Sequence, residues 1–134
     1  MRFNLEDYMT TARTVYGEAR NQEWEGQLAV AFVILNRVRD GSRWADTPHG
    51  VCVAEWQFSA WNDGDPNLRR LAAATLQDAP FRRAFAATAV AFAMDRADPT
   101  DGANHYHHRD LDPPSWADAD AITARIGDHL FYRL

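Results

Sequence analysis

Apolar positions near the start of the chain recur every three or four residues. Leu5, Tyr8, Met9, Ala12, Val15, Tyr16 and Ala19 fall on one face of a helix, while Thr11, Thr14 and Glu18 stack along its flank. A second stripe, Trp24, Leu28, Ala31, Leu35 and Val38, is joined by Val30, Phe32, Val33 and Ile34, so this second helix is apolar around most of its circumference. A helix of that kind belongs at the buried centre of a domain. Asn21 is its expected N-cap, with Glu23 and Glu25 in the first turn; Arg37 and Arg39 suit its C-terminal end, and Gly41 stops it. Asp65-Pro66 opens a third helix carrying Leu68, Leu71, Ala72, Thr75 and Leu76. Pro80 begins a fourth, with Phe81, Phe85, Ala89 and Phe92 on one face.

Two regions escape the helical period. Residues 42–64 hold Trp44, Trp56, Phe58 and Trp61 among Gln57, Ser59 and Asn62, too aromatic for disorder and too long for an idle loop. After the break at Asp98-Pro99-Thr100-Asp101-Gly102, the stretches 103–108 and 127–133 look like short strands that pair as a small antiparallel ribbon, with a proline-bearing loop to Trp116 between them. The expectation is a mainly helical α+β domain occupying all of residues 1–134, with a central buried helix and a β appendage.

Totals narrow the classes. A chain of 134 residues suffices for one core, and 46% apolar with 25% charged residues is globular composition. The net charge of −5 argues against nucleic acid as a partner. The longest apolar run, Leu28 to Leu35, is too short to cross a bilayer, so no membrane insertion is expected. Cys52 is the single cysteine, flanked by Val51 and Val53, and reads as a buried apolar residue rather than a nucleophile. No signal-peptide pattern opens the chain, so the sequence suggests a protein made in the cytoplasm.

The residue with the most chemical promise is Glu18, a lone carboxyl in Tyr16-Gly17-Glu18-Ala19-Arg20 at the junction of two core helices. The end of a helix disfavours its negative charge, and Arg20 pulls the other way. A carboxyl beside an aromatic and polar segment suits a glycan-cleaving site, because sugars present flat C–H faces to aromatic rings and hydroxyls to Gln, Ser and Asn. His105-Tyr106-His107-His108 is the second constellation. On a strand His105 and His107 share a side, a spacing that admits a metal, with Asp110, His129 or Glu18 as third ligand. A wall of hydrogen-bonding and stacking residues is the favoured reading, with no metal and no cofactor.

The chain resembles the SleB-type cell-wall hydrolases, the spore-cortex-lytic enzymes and their relatives among phage endolysins. The carriers are residues 12–20 around Tyr16-Gly17-Glu18-Ala19-Arg20, residues 25–31 leading into Leu35-Asn36-Arg37-Val38, Gln57-Phe58-Ser59-Ala60-Trp61, Gly102-Ala103-Asn104-His105-Tyr106-His107, Pro114-Ser115-Trp116-Ala117 and residues 125–132. The resemblance implies a lysozyme-like catalytic domain that cuts the glycan strand of peptidoglycan, with Glu18 as its catalytic glutamate. Without an equally convincing second acid (Glu55, Asp63 and Asp65 have structural readings), it points to a lytic transglycosylase, in which one carboxyl serves as acid and then as base. Gln57, Ser59, Tyr106, His105 and His107 are the expected sugar-binding residues, with Phe58 and Trp61 as stacking surfaces. The alternatives are a hydrolytic muramidase or glucosaminidase, a histidine-cluster metal-dependent amidase or peptidase, and a glycan-binding module without activity. A monomer of endolysin type, reaching the wall through a holin-type pore, is the expected setting.

Overall fold

The computed structural model describes residues 2–54, 57–58, 61–62 and 64–134. Helix α1 (Leu5–Ala19) starts from a reciprocal cap: the Asn4 side chain accepts from the Asp7 backbone N–H at 2.8 Å, and the Asp7 carboxylate accepts from that of Asn4 at 3.0 Å. Helix α2 (Trp24–Asp40) is the buried axis expected from its pattern. Every residue from Leu28 to Leu35 is fully buried, and Gly41 ends the helix at φ +74°. Around it stand α3 (Pro48–Val53), α4 (Leu68–Ala73) and α5 (Ala79–Ala93), with α1 packed on α5 and α3, and α2 on α5 and α1. Phe92 of α5 anchors the N-terminal end through Phe3 at 4.4 Å and Tyr8 at 4.8 Å between ring centres.

The sheet holds three strands in the order β1-β3-β2: β1 (His105–His108), β2 (Ile122–Ile126) and β3 (His129–Tyr132). The two expected strands do pair, antiparallel, with His105 opposite Tyr132 and Tyr106 opposite Phe131. Strand β2 adds to the far side of β3. Ala29 and Val33 of α2 pack with Phe131 and Ala103, so the face of the sheet that bears Tyr106 lies on the central helix.

Three local differences have physical causes. Asn21 does not cap α2. The helix begins after Glu23, which makes no side-chain cap, because residue 22 is drawn off to the hairpin. Gln22 donates to the Asp128 carboxylate at 3.0 Å and accepts from the Asp128 N–H at 3.1 Å, clasping the α1–α2 elbow to the β2–β3 turn. Gly127 sits in that turn at φ +55°, where an added Cβ would meet the Gln22 oxygen at 2.5 Å. Within the segment expected to lack a period, Thr47 accepts from the Gly50 N–H and Pro48 takes the first position of a six-residue helix, α3. Finally, α4 starts after Asn67 and is over before Thr75, which turns back onto Asp78. No helix among the described residues is long and apolar enough to cross a membrane.

Candidate active site

Glu18 projects from the last turn of α1, beside a cleft of about 250 Å3 lined by Gly17, Glu18, Arg20 and Asn21. The end of α1 is held from below. Fully buried Gln27 of α2 donates to the Ala19 carbonyl at 3.2 Å, and Arg20 donates to the Gly17 carbonyl at 3.3 Å. Three elements then converge on the carboxyl. Tyr106 comes from β1, Arg37 from α2, and Asp65 from the loop before α4.

Burial is the largest influence and raises the Glu18 pKa, favouring the protonated acid. A hydrogen bond from Tyr106 and the charge of Arg37 oppose this, while the like charge of Asp65 adds to it. Glu18 is thus more enclosed than a position on the helix flank suggests. The opposing cation is also Arg37 rather than Arg20, whose guanidinium is turned to the Tyr16 ring, the Gly17 carbonyl and Asn67. The Tyr106 hydroxyl is buried against the same carboxylate, and its pKa lies well above the ordinary value through that burial and the neighbouring negative charge. If Tyr106 is replaced by phenylalanine, Glu18 loses a bond that favours its charged form and should hold its proton to still higher pH. A carboxyl-carbon NMR titration of Glu18 in Tyr106→Phe checks this, and a midpoint equal to that of the unaltered protein would remove Tyr106 from the account.

Arg37 is the residue that sequence reasoning missed. Assigned there to the helix C-terminus, it is buried, donates through Nε to the Asn104 carbonyl at 2.8 Å and reaches the Gln57 side-chain oxygen at 3.4 Å. Its guanidinium lies 5.3 Å from the Trp44 ring centre and 5.2 Å from that of Phe58. A usable signal was present. Ala29, Val33 and Arg37 follow one another at a spacing of four, which puts the cation on the stripe that faces the sheet.

The other expected binding residues separate. Gln57 is exposed near the site, its oxygen engaged by Arg37 and by the Trp44 indole N–H at 3.3 Å, and its amide N–H groups have no partner among the described residues. Trp61 is half-buried and donates to Thr14 at 2.7 Å, one turn below Glu18. Phe58 is not a stacking surface: only 2% exposed, it belongs to the main core beneath Arg37. His107 is also withdrawn from any substrate. It is buried, with Nδ1 donating to the His108 carbonyl at 2.9 Å and Nε2 accepting from the Tyr132 hydroxyl at 2.7 Å. Ser59, with Trp56, Glu55 and Asp63, lies outside the described residues.

His105 points to the face of the sheet opposite Tyr106, between Trp44 and Trp116. Burial, then the charges of Arg37 and Arg43, lower its pKa to about 4, so its imidazole is neutral near pH 7. No group of three or more His, Cys, Asp or Glu side chains is gathered for a metal among the described residues. Both nitrogens of His107 are already engaged by the protein itself. Cys52 is buried between the helices, and its thiol pKa is pushed up to about 11, mainly by that burial, which suits a core residue and not a nucleophile.

A family model described as Cell Wall Hydrolase matches residues 21–132. A spore cortex-lytic enzyme of Halalkalibacterium halodurans is 34% identical over 129 residues, covering 96% of this chain and 35% of the relative. The Bacillus subtilis spore cortex-lytic enzyme is 31% identical over 129 residues, covering 96% of this chain and 38% of its own length. The chain therefore spans well under half of these relatives. Among solved structures, the catalytic domain of the Bacillus cereus SleB protein superposes with a TM-score of 0.77 at 29% identity, over 98% of this chain and 93% of that one. The catalytic domain of the germination-specific lytic transglycosylase SleB from Bacillus anthracis gives 0.77 at 31% identity, over 98% and 97%.

Proposed function

From the premise that this chain belongs to the cell wall hydrolase family, with the α+β fold of SleB catalytic domains, we propose that it cuts the glycan strand of peptidoglycan as a lytic transglycosylase. Glu18 is its acid and base. The observation that carries this reading is the environment of Glu18: a carboxyl whose pKa is raised by burial, held by Tyr106, beside an open cleft. Such a group enters the reaction protonated and gives its proton to the glycosidic oxygen as the bond to C1 breaks. The carboxylate left behind then takes the proton of the muramic acid 6-hydroxyl, whose oxygen closes onto C1. The acid is thereby regenerated and a 1,6-anhydro end is formed without water. Arg37 favours the charged form that exists between the two proton transfers. Gln57, Ser59 and Trp61 are the proposed sugar contacts, and an endolysin-type setting belongs to the same proposal.

Asp65 favours a second reading. Its charge acts on Glu18, which supplies the partner carboxylate that a hydrolase uses to activate water. Products separate the two. Purified peptidoglycan is digested and the fragments are weighed: anhydro-muropeptides support the transglycosylase, reducing ends the hydrolase. Freed peptides with intact glycan would refute both.

A further inference from the structure

Away from Glu18, the outer face of the sheet carries an aromatic cluster that the proposed chemistry does not use. His105 is its centre, with the Trp44 ring centre 5.7 Å away and that of Trp116 4.9 Å away. Each indole is braced. Trp116 meets Tyr132 edge-on at 5.3 Å, while Arg43 lies 4.4 Å over Trp44 and is itself fixed by Asp40 at 3.0 Å. Trp44, His105 and Trp116 are nevertheless all only partly buried.

The hydrogen bonds beneath fix which atom His105 presents. Leu134 donates its N–H to the Asn104 side-chain oxygen at 3.0 Å, and the Asn104 amide donates to the Leu134 carbonyl at 2.9 Å, so the orientation of that carboxamide is set. The oxygen can only accept. At 2.8 Å from it, His105 Nδ1 must therefore carry the proton and donate. In a neutral imidazole this leaves Nε2 as a bare acceptor, without a partner among the described residues and not sealed from solvent. A layer that served only to cover the sheet would need no open acceptor between two indoles. The Trp44 ring carries Arg43 and Arg37 over it, so the indole of Trp116 beside one hydrogen-bond acceptor is what suits a pyranose, whose ring C–H groups pack on indole while a hydroxyl or acetamido N–H donates.

We propose that Trp44, His105 and Trp116 form a second glycan subsite, which seats one N-acetylated sugar of the strand through a donor to His105 Nε2. The proposal rests on the glycan reading of the Glu18 cleft. The two are physically joined, since Gln57 accepts from both Trp44 and Arg37, and Arg37 acts on Glu18.

The test uses full-length protein carrying Glu18→Gln and, as probe, a peptide-free tetrasaccharide of alternating N-acetylglucosamine and N-acetylmuramic acid, with calorimetry as the readout. His105→Phe keeps an aromatic ring and removes the acceptor, and should weaken binding about fivefold. Trp116→Ala should weaken it about tenfold. Because Trp116→Ala also loosens the sheet face, the indole N–H resonances of Trp44 and Trp116 are followed in parallel in protein with both tryptophans intact, where both should shift on titration. Unchanged affinity in His105→Phe together with static indole signals would overturn the subsite. A digest of peptidoglycan by unaltered protein distinguishes the two failures. Cleavage alongside unchanged affinity in the His105 and Trp116 variants removes the subsite alone, whereas neither cleavage nor tetrasaccharide binding removes the glycan reading and the subsite with it.

Discussion

Replacing Glu18 with glutamine is expected to lower glycan cleavage by roughly a thousandfold, the scale on which a positioned acid–base group contributes to a reaction. Glutamine has nearly the shape of glutamic acid and still accepts from Tyr106, so the site persists without its transferable proton. The effect on stability should have the opposite sign. Glu18 has its pKa raised in the folded chain, chiefly by burial. Its contribution to stability is therefore complete below the ordinary glutamate pKa, and is lost as pH rises through the raised value. Above that raised value the folded protein holds a desolvated carboxylate that an unfolded chain would keep in water. Glu18→Gln should then melt no lower than the unaltered protein at pH 7, with any advantage disappearing below the ordinary glutamate pKa. Paired melting curves across that window, with cleavage assays, check both halves. Wild-type turnover in the variant would end the acid–base assignment, and a marked fall in melting temperature at pH 7 would mean that the carboxylate is structural.

The second large effect is expected at Arg37. Arg37→Met fills much of the volume of the stem, but leaves the Asn104 carbonyl without its donor, removes one of the two donors to the Gln57 oxygen and strips the cation from between Trp44, Phe58 and Glu18. An orphaned buried carbonyl together with a lost charged hydrogen bond costs about 2–3 kcal/mol, or roughly 8–12 °C in melting temperature for a domain of this size. With the cation gone, Glu18 loses one of the two influences that favour its charge, so the basic limb of the pH–rate curve should move upward. Arg37→Lys should not rescue the variant. A single ammonium cannot span Asn104 and Gln57 while lying over a ring. Full recovery by lysine would show that charge alone matters at this position.

Sequence and structure agree where periodicity runs long enough to be unambiguous. The apolar run Leu28 to Leu35 marks the buried axis, and Pro80 marks the start of α5 within one residue. Helix α3 stays hidden because six residues cannot display a period, although Thr47-Pro48 is a start signal. Strand β2 carries Ile122, Ala124 and Ile126 at alternate positions and is legible in retrospect. At the site, Glu18 and Tyr106 stand out by type and context. Phe58 misleads because an aromatic side chain looks the same in a sequence whether it lines a cleft or fills a core. His107 misleads for a related reason: strand alternation gives its side but not the Tyr132 hydroxyl that occupies it. Arg37 is concealed by an adequate local explanation at the helix end, when what decides its role is the sheet packed across from it, built from residues nearly seventy positions later.

The clasp between Gln22 and Asp128 joins the elbow that follows Glu18 to the hairpin whose strand β3 holds Tyr106 in register. Segments linked in this way open together or not at all, so the elbow and the hairpin should form one cooperative unit in hydrogen exchange. They are also packed around one side chain. A side chain at position 26 would press on the Gln22 Cβ at 2.9 Å, and one at position 127 on its oxygen at 2.5 Å. Each glycine thus leaves room for the Gln22 that ties the elbow after the acid to the hairpin beside the tyrosine.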